Sequence, residues 1–283
     1  MKIRRVGVVG CGQMGAGIAQ VCAQSGYETV ASEINDELLS KGMDIIKASL
    51  ATGVKREKIS EADRDATLSR LKDTTKMEDF GDCQLVIEAI VENIELKKKV
   101  FASLDGICPE HTILASNTSC LSIIELAMAT KRPDRVLGMH FFNPVPIMRL
   151  LELVKSIVTS EETLETAKSF GDSVGKAVIV AKDMPGFVVN RLLIPYLLDS
   201  FRIYEAGLAT REDIDQGMAL GCNHPMGPLT LSDLIGLDTI HFIADAMYEE
   251  FKDSKYASPP LLKKMVTAGH LGRKTGKGFY DYK

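Results

Sequence analysis

The chain has 283 residues, of which 45% are hydrophobic and 25% are charged, and its formal net charge is −4. These values are typical of a globular protein with about two domains. The small negative charge argues against nucleic-acid or anionic-membrane partners, and no apolar run is long enough to span a bilayer. Because the first predicted strand begins at residue 3, we expect no targeting segment and a cytoplasmic location.

A glycine-rich turn follows the first predicted strand. The β-branched run at residues 6–9 ends in the sequence GCGQMG, and an apolar helix pattern follows. In such a turn the first glycine permits the tight bend, the second lets a pyrophosphate approach the backbone, and the third lets helix and strand pack closely. Backbone N–H groups at the helix start then stabilise the diphosphate. The predicted cofactor-binding residues of this turn are Gly10, Gly12, Gln13, Met14 and Gly15.

Glu33 lies at the far end of the second predicted strand, where a dinucleotide-binding unit carries an acidic residue. A carboxylate at this point accepts hydrogen bonds from the adenosine ribose hydroxyls and repels a 2′-phosphate. No Lys or Arg lies between Ala31 and Glu37. The predicted cofactor is therefore NAD rather than NADP. The alternative is that Glu33 is only a solvated charge at a strand end.

Strand and helix patterns then alternate along the chain. This alternation predicts an α/β fold, with a mostly parallel sheet that is doubly wound (Rossmann-type). The predicted helices cover residues 36–58, 60–71, 93–105, 121–129 and 161–174, and the further strands lie at 85–89, 113–116, 136–140, 150–154 and 178–180.

The pattern changes at residues 182–186, after which strand patterns are absent. Helices are predicted at 187–206, 211–220, 228–235 and 238–252. We therefore predict a Rossmann-type NAD-binding domain at residues 1–184 and an all-helical C-terminal domain at residues 185–283, for substrate binding and dimerisation. The alternative for this second domain is a self-contained helical cap.

The six cysteines are scattered, with no CxxC pair and no histidine at ligand spacing. This spacing supports neither a metal site nor a disulfide framework. Most of the cysteines are expected to be small buried hydrophobic residues in a reducing compartment.

His140 is the strongest catalytic candidate because it lies at the carboxyl end of a predicted strand, where doubly wound folds bind ligands. Histidine titrates near neutrality, so it can exchange the proton that accompanies hydride transfer to a carbonyl. Glu152 lies inside an otherwise apolar strand, where a carboxylate is costly unless it is paired. Pairing would stabilise the imidazolium and orient its ring. The alternatives are a structural histidine and a glutamate that faces water.

Polar residues also follow the strand at 113–116. Asn117 and Ser119 offer amide and hydroxyl groups suited to a nicotinamide or a substrate carbonyl. Such clusters are usually helix caps, and Ser119 is also a candidate cap for the helix at 121–129. Asn190, near the start of the first helix after the boundary, is a further candidate.

Together these features resemble the 3-hydroxyacyl-CoA dehydrogenase family. The resemblance runs the length of the chain, and the order and spacing of its motifs are specific. It rests on the turn at 10–17 and on the segments IEAIVEN (87–93), ASNTS (115–119), HFFNPVPIMRLLE (140–152), DMPGFVVNRLL (183–193), HPMGPLTLSDLIGLD (224–238) and GRKTGKGFYDY (272–282). It implies NAD(H)-dependent, reversible reduction of a short-chain 3-ketoacyl-CoA such as acetoacetyl-CoA.

The resemblance also implies individual roles. His140 matches the family's acid/base and Glu152 its carboxylate partner, while Ser119 and Asn190 match residues that hold the substrate's carbonyl oxygens. The other positions implied at the cofactor are Ala89, Glu92, Lys97, Asn117, Ser119, Asn143 and Lys274, with Lys97 also near the CoA arm.

Lys55 and Arg56 are the candidate residues for the CoA phosphates, since relatives hold that nucleotide with basic residues after the matching helix. The alternative is a solvated charged surface. Two positions depart from the usual family pattern: Ala31-Ser32-Glu33 replaces an aliphatic-basic-Asp sequence, and Arg149 replaces a lysine.

Two other functions fit the predicted architecture. One is a two-domain β-hydroxyacid dehydrogenase that acts on a free hydroxy acid; these enzymes often use a lysine where this chain has His140 and Glu152. The other is a non-catalytic, crystallin-like protein that binds the cofactor. The presence of Ser119, His140, Glu152 and Asn190 favours an enzyme with an acyl-CoA substrate over both alternatives. We expect this enzyme to form a homodimer through its C-terminal domain.

Overall fold

The computed structural model describes residues 2–282. The chain divides into two compact units, the first ending at Asp183 and the second beginning at Met184. The first unit contains a sheet covered by helices, and the described part of the second is helical. None of the described helices has the length and apolar character needed to cross a membrane.

One eight-stranded sheet organises the first unit, and its order is β3-β2-β1-β4-β5-β6-β7-β8. Strands β1 to β6 run parallel, β7 runs antiparallel to β6, and β8 runs parallel to β7. The predicted mostly parallel, doubly wound sheet is thus confirmed. The strands are β1 (Arg5–Val9), β2 (Glu28–Ser32), β3 (Leu71–Thr74), β4 (Leu85–Glu88), β5 (Ile113–Ser116), β6 (Val136–Phe141), β7 (Leu150–Lys155) and β8 (Ala177–Lys182).

Within residues 2–183, six α-helices accompany this sheet, and most begin with a side-chain cap. The helices are α1 (Gln13–Gln24), α2 (Asp36–Lys55), α3 (Glu61–Ser69), α4 (Ile94–Ile107), α5 (Ile123–Ala127) and α6 (Glu161–Ser173). Asn or Ser caps the N-terminus of α2 to α6. Helix α1 instead begins after Gly12 without a side-chain cap. Its first backbone N–H groups are therefore suited to an anionic ligand.

Three predicted helix boundaries are wrong. Residue 71 is the last residue of the helix predicted at 60–71. In the structure it begins strand β3, which pairs with β2. Pairing with a neighbouring strand decides this segment, because β-propensity depends strongly on tertiary context. The helix predicted at 36–58 ends at Lys55, and Glu57 has a positive φ of 55°. The helix predicted at 121–129 begins only after its cap, Ser122.

The strand order reverses direction between β1 and β4. The chain moves outward from β1 to β3 and then returns to add β4 on the other side of β1. Open α/β sheets bind ligands at the carboxyl ends of strands at such a point. The backbone N–H of Ala89, directly after β4, donates to the carbonyl of Val9 at 2.8 Å. The glycine-rich turn therefore begins at this reversal.

The described residues of the second unit form five α-helices, one more than predicted. They are α7 (Val189–Glu205), α8 (Arg211–Gly221), α9 (Pro228–Ile235), α10 (Leu237–Phe251) and α11 (Pro260–Thr267).

Two carboxylates of the second unit bind the segment that follows α11. Asp233 accepts hydrogen bonds from the backbone N–H groups of Phe279 and Tyr280 at 2.9 Å, and Asp215 accepts one from the Tyr280 hydroxyl at 2.9 Å.

Five of the six cysteines are buried, as predicted for most of them, whereas Cys222 is exposed. Burial raises the pKa of Cys11 to about 11 and that of Cys22 to about 12. These thiols are therefore neutral at physiological pH and behave as small hydrophobic side chains.

Helix α2 packs against the glycine-rich turn at Gly42. A Cβ atom on Gly42 would lie 2.2 Å from the carbonyl oxygen of Cys11 and 2.5 Å from its Sγ. Real Cβ atoms do not approach other atoms this closely, so only glycine allows the helix to lie here.

We expect Gly42→Ala to destabilise the protein by about 1–3 kcal/mol, because α2 must move away from the turn. Urea unfolding measures the change. The matched control is Gly106→Ala in α4, where an added Cβ meets nothing within 4 Å; it should be neutral or stabilising by up to about 1 kcal/mol. Equal stability of the two variants would contradict the packing argument.

Candidate active site

The three glycines of the turn have different surroundings. Gly10 has a φ of 90°, and a Cβ there would lie 2.8 Å from the Ala89 carbonyl oxygen. A Cβ on Gly15 would lie 1.7 Å from the Gly10 carbonyl oxygen, whereas one on Gly12 would meet nothing within 4 Å. Packing therefore requires the first and third glycines. The second faces open space beside the start of α1, which fits a pyrophosphate.

Glu33 follows β2 directly, and its carboxylate is fixed against the turn. Its Oε1 accepts a hydrogen bond from the backbone N–H of Cys11 at 2.8 Å, and its Oε2 accepts one from Ile34 at 3.1 Å. The carboxylate therefore has backbone partners in addition to solvent, and its contact with a ribose stays a prediction. Ile34 is 84% exposed and was not predicted as a site residue. Its exposed apolar side chain directly follows Glu33, the predicted ribose acceptor, and such a surface would suit a flat base.

Gln13 and Asn143 come together although they are 130 positions apart. The Gln13 side-chain amide donates to Oδ1 of Asn143 at 3.3 Å. Gln13 is the first residue of α1, and Asn143 lies two residues after β6. The fold thus joins two predicted cofactor residues, and with them the glycine-rich turn and the end of β6.

Asn117 connects the carboxyl ends of three neighbouring strands. Its backbone N–H donates to the carbonyl of Glu88 at 2.8 Å, and its Oδ1 accepts from the backbone N–H of Phe141 at 2.9 Å. Because Phe141 directly follows His140, Asn117 helps to fix the backbone at the catalytic candidate.

His140 and Glu152 face each other across the antiparallel pair β6–β7. Directly opposed residues of such a pair project to the same side of the sheet. The His140 Nδ1 lies 2.7 Å from Oε2 of Glu152, and the glutamate is fully buried. The predicted contact is present, and the alternative of a glutamate facing water is wrong. A carboxylate at Nδ1 favours a proton there and directs Nε2 toward exchange with a ligand.

The loop at residues 142–149 joins His140 to Glu152, and Lys176 holds it in place. The Lys176 ammonium donates to the carbonyls of Val145 at 2.6 Å and Met148 at 2.7 Å. Burial lowers the pKa of Lys176. The loop also lies close to Gly17 of α1, where a Cβ would approach Val145 to 2.9 Å. No sequence pattern identified Lys176.

Glu92, Lys97 and Ser119 also come together. The backbone N–H of Ser119 donates to Oε1 of Glu92 at 2.7 Å, and the Lys97 ammonium lies 3.4 Å from Oε2 of Glu92. Ser119 is not the cap of α5, because Ser122 accepts the capping hydrogen bond. Lys97 is 1% exposed, and its contact with a CoA arm stays a prediction.

The other predicted residues lie elsewhere. Lys55 and Arg56 are exposed at the end of α2. In the second unit, Asn190 is buried in α7, and Lys274 pairs with Asp238 at 2.6 Å. Their roles in substrate or cofactor binding stay predictions.

Comparison with known families identifies both units. The model of the 3-hydroxyacyl-CoA dehydrogenase NAD-binding domain matches residues 5–184, and that of the C-terminal domain of the same family matches residues 186–282. The chain belongs to the 3-hydroxyacyl-CoA dehydrogenase family. It is thus an NAD-dependent dehydrogenase, and the resemblance predicted from the motifs is confirmed.

Individual family members are similar over their full length. A 3-hydroxybutyryl-CoA dehydrogenase of Mycobacterium tuberculosis is 51% identical over 282 residues, which cover 99% of each chain. The crystal structure of M. tuberculosis FadB2 has a TM-score of 0.99 at 50% identity, and that of (S)-3-hydroxybutyryl-CoA dehydrogenase PaaH1 from Ralstonia eutropha has a TM-score of 0.95 at 48% identity. Both structural matches cover 100% of each chain.

Proposed function

We propose that this protein catalyses the reversible, NADH-dependent reduction of acetoacetyl-CoA to 3-hydroxybutyryl-CoA. The observation that carries the proposal is the buried contact between His140 and Glu152, 2.7 Å apart, at the sheet edge that also holds the glycine-rich turn. The names of the similar proteins support this substrate class.

The turn residues fit an NAD molecule. Gly12 offers open space to the pyrophosphate, the start of α1 offers backbone N–H groups, and Glu33 offers ribose hydroxyls an acceptor. NADH, when bound, supplies the hydride that adds to C3 of the ketoacyl thioester. Glu33 and the absence of basic residues between Ala31 and Glu37 favour NADH over NADPH.

His140 is the proposed proton donor. As hydride adds to C3, negative charge builds on the C3 oxygen, and protonated His140 gives that oxygen its Nε2 proton. In the reverse direction neutral His140 takes the hydroxyl proton. Histidine suits both steps because its pKa lies near neutrality.

Glu152 is proposed to stabilise and orient the imidazolium. Its carboxylate offsets the cost of holding a positive ring in a buried position, and its hydrogen bond to Nδ1 fixes the ring orientation. Ser119 is proposed to donate a hydrogen bond to a carbonyl oxygen of the substrate. Its contribution is positioning of the reacting carbonyl rather than proton transfer.

We expect His140→Gln to lower kcat by about 10²–10⁴ while NADH still binds, because general acid catalysis is typically worth that factor. The assay follows the loss of 340 nm absorbance with NADH and acetoacetyl-CoA, and fluorescence titration measures NADH binding. Near-normal turnover by the variant would remove His140 from the role of acid/base.

The same assay tests the cofactor preference of the wild type and the role of Glu152. The wild type should oxidise NADH faster than NADPH, and a folded wild type without turnover would point to a non-catalytic binding protein. Glu152→Gln should slow turnover and alter the pH profile, because the imidazolium loses its buried anion.

Lys55 and Arg56 are proposed to bind the phosphates of CoA. Both are exposed at the end of α2, where an ammonium and a guanidinium suit phosphate recognition. Replacing both with Gln should raise the KM for acetoacetyl-CoA several-fold and leave the KM for NADH unchanged. Replacement of the exposed pair Lys41 and Lys47, at other positions of α2, is the matched control. An unchanged KM for acetoacetyl-CoA would discard the assignment.

We also propose a homodimer through the helical unit. Its surface carries large apolar side chains that a monomer leaves exposed, among them Leu192, Leu208, Leu220 and Phe242. Burying such residues against a second copy is favourable. Sedimentation velocity should give a dimer for the wild type and a shift toward monomer for Leu192→Asp; a monomeric wild type would contradict the proposal. A cytoplasmic location stays a prediction.

A further inference from the structure

A buried charge network lies at the carboxyl ends of β4 and β5. Glu88 is the last residue of β4 and is register partner to Ser116, the last residue of β5. Glu88, Ser116 and Lys97 of α4 are each at most 1% exposed. Three polar groups that are usually solvated are therefore held in the interior, which is unfavourable unless they bond to one another.

Both oxygens of Glu88 accept hydrogen bonds. Its Oε1 lies 2.6 Å from the Lys97 ammonium and 2.6 Å from the backbone N–H of Ile90, and its Oε2 accepts from the Ser116 hydroxyl at 2.6 Å. The Ser116 Oγ in turn accepts from the backbone N–H of Thr118 at 3.3 Å. One carboxylate thus ties two loops, residues 89–93 and 117–119, to the ends of their strands.

Lys97 connects this network to Glu92 and, through Glu92, to Ser119. Its ammonium lies between two carboxylates, at 2.6 Å from Glu88 and 3.4 Å from Glu92, and also donates to the Ile90 carbonyl at 3.3 Å. The other oxygen of Glu92 accepts from the backbone N–H of Ser119. The position of Ser119 therefore depends on how Lys97 divides its interaction between the two glutamates.

We propose that Glu88 is a positioning residue for NADH binding, acting through Lys97 and Ser116 on the two loops. This inference rests on the function proposed above. Glu88 holds the ammonium so that Glu92 keeps its hydrogen bond to Ser119. Without the Glu88 charge, Lys97 attracts Glu92 alone, and Glu92 moves away from the Ser119 N–H.

The test compares Glu88→Gln with a variant that does not alter charge. Glu88→Gln keeps the size of the side chain and removes its charge. The KM for NADH should rise about tenfold, because the two loops that carry the predicted cofactor residues Glu92 and Ser119 shift. Ser116→Ala removes one hydrogen bond and should raise the KM for NADH about threefold. If Glu88→Gln does not fold, the KM for NADH of Ser116→Ala alone tests the proposal.

The matched control is Asp105→Asn, which alters the partly buried ion pair of Asp105 with Arg132 at 2.7 Å. Asp105 lies near the end of α4, the same helix that carries Lys97 near its start. This variant should lower the Tm and leave the KM for NADH unchanged. An unchanged KM for NADH in the folded network variants, or an equal rise in the control, would overturn the inference. A wild type that does not oxidise NADH would instead overturn the proposed function.

Discussion

The antiparallel pairing of β6 with β7 is the constraint on which the catalytic arrangement depends. A parallel strand at this place would need a crossover, but the antiparallel strand returns after a short loop. Its register sets Glu152 directly opposite His140. A shift by one residue would turn the glutamate to the other face of the sheet and leave both groups without the contact.

The cofactor end of the site depends instead on close backbone packing. Helix α1 can begin beside β1 because Gly15 has no side chain to collide with Gly10, and α2 can reach the turn because of Gly42. Of the three glycines of the turn, only Gly12 faces open space. An anion can then be bound by backbone groups, without a basic side chain.

Several carboxylates lie at or near the edge of the sheet that carries the glycine-rich turn, and each has a different partner. Glu33 accepts from backbone N–H groups, Glu152 contacts a histidine, and Glu88 contacts a lysine and a serine. A buried carboxylate without a partner is strongly unfavourable, so each one fixes the geometry of the groups around it. These contacts orient the side chains and loops where the nicotinamide nucleotide and the reacting carbonyl are proposed to bind.

Sequence alone determined the class of fold, the dinucleotide turn and the candidates His140 and Glu152, because glycine spacing, strand patterns and a carboxylate in an apolar strand are local signals. It also determined the family, whose motifs are specific in order and spacing.

Tertiary structure decided the features that depend on distant contacts. The sequence pattern does not predict strand β3, because its pairing with β2 outweighs local propensity. Glu88, like Glu152, is a carboxylate in an apolar strand, but only the folded structure shows its partners Lys97 and Ser116. Lys176 has no sequence signal at all. The partners of Lys176 are carbonyls 28 and 31 positions away, and only the folded chain brings them together.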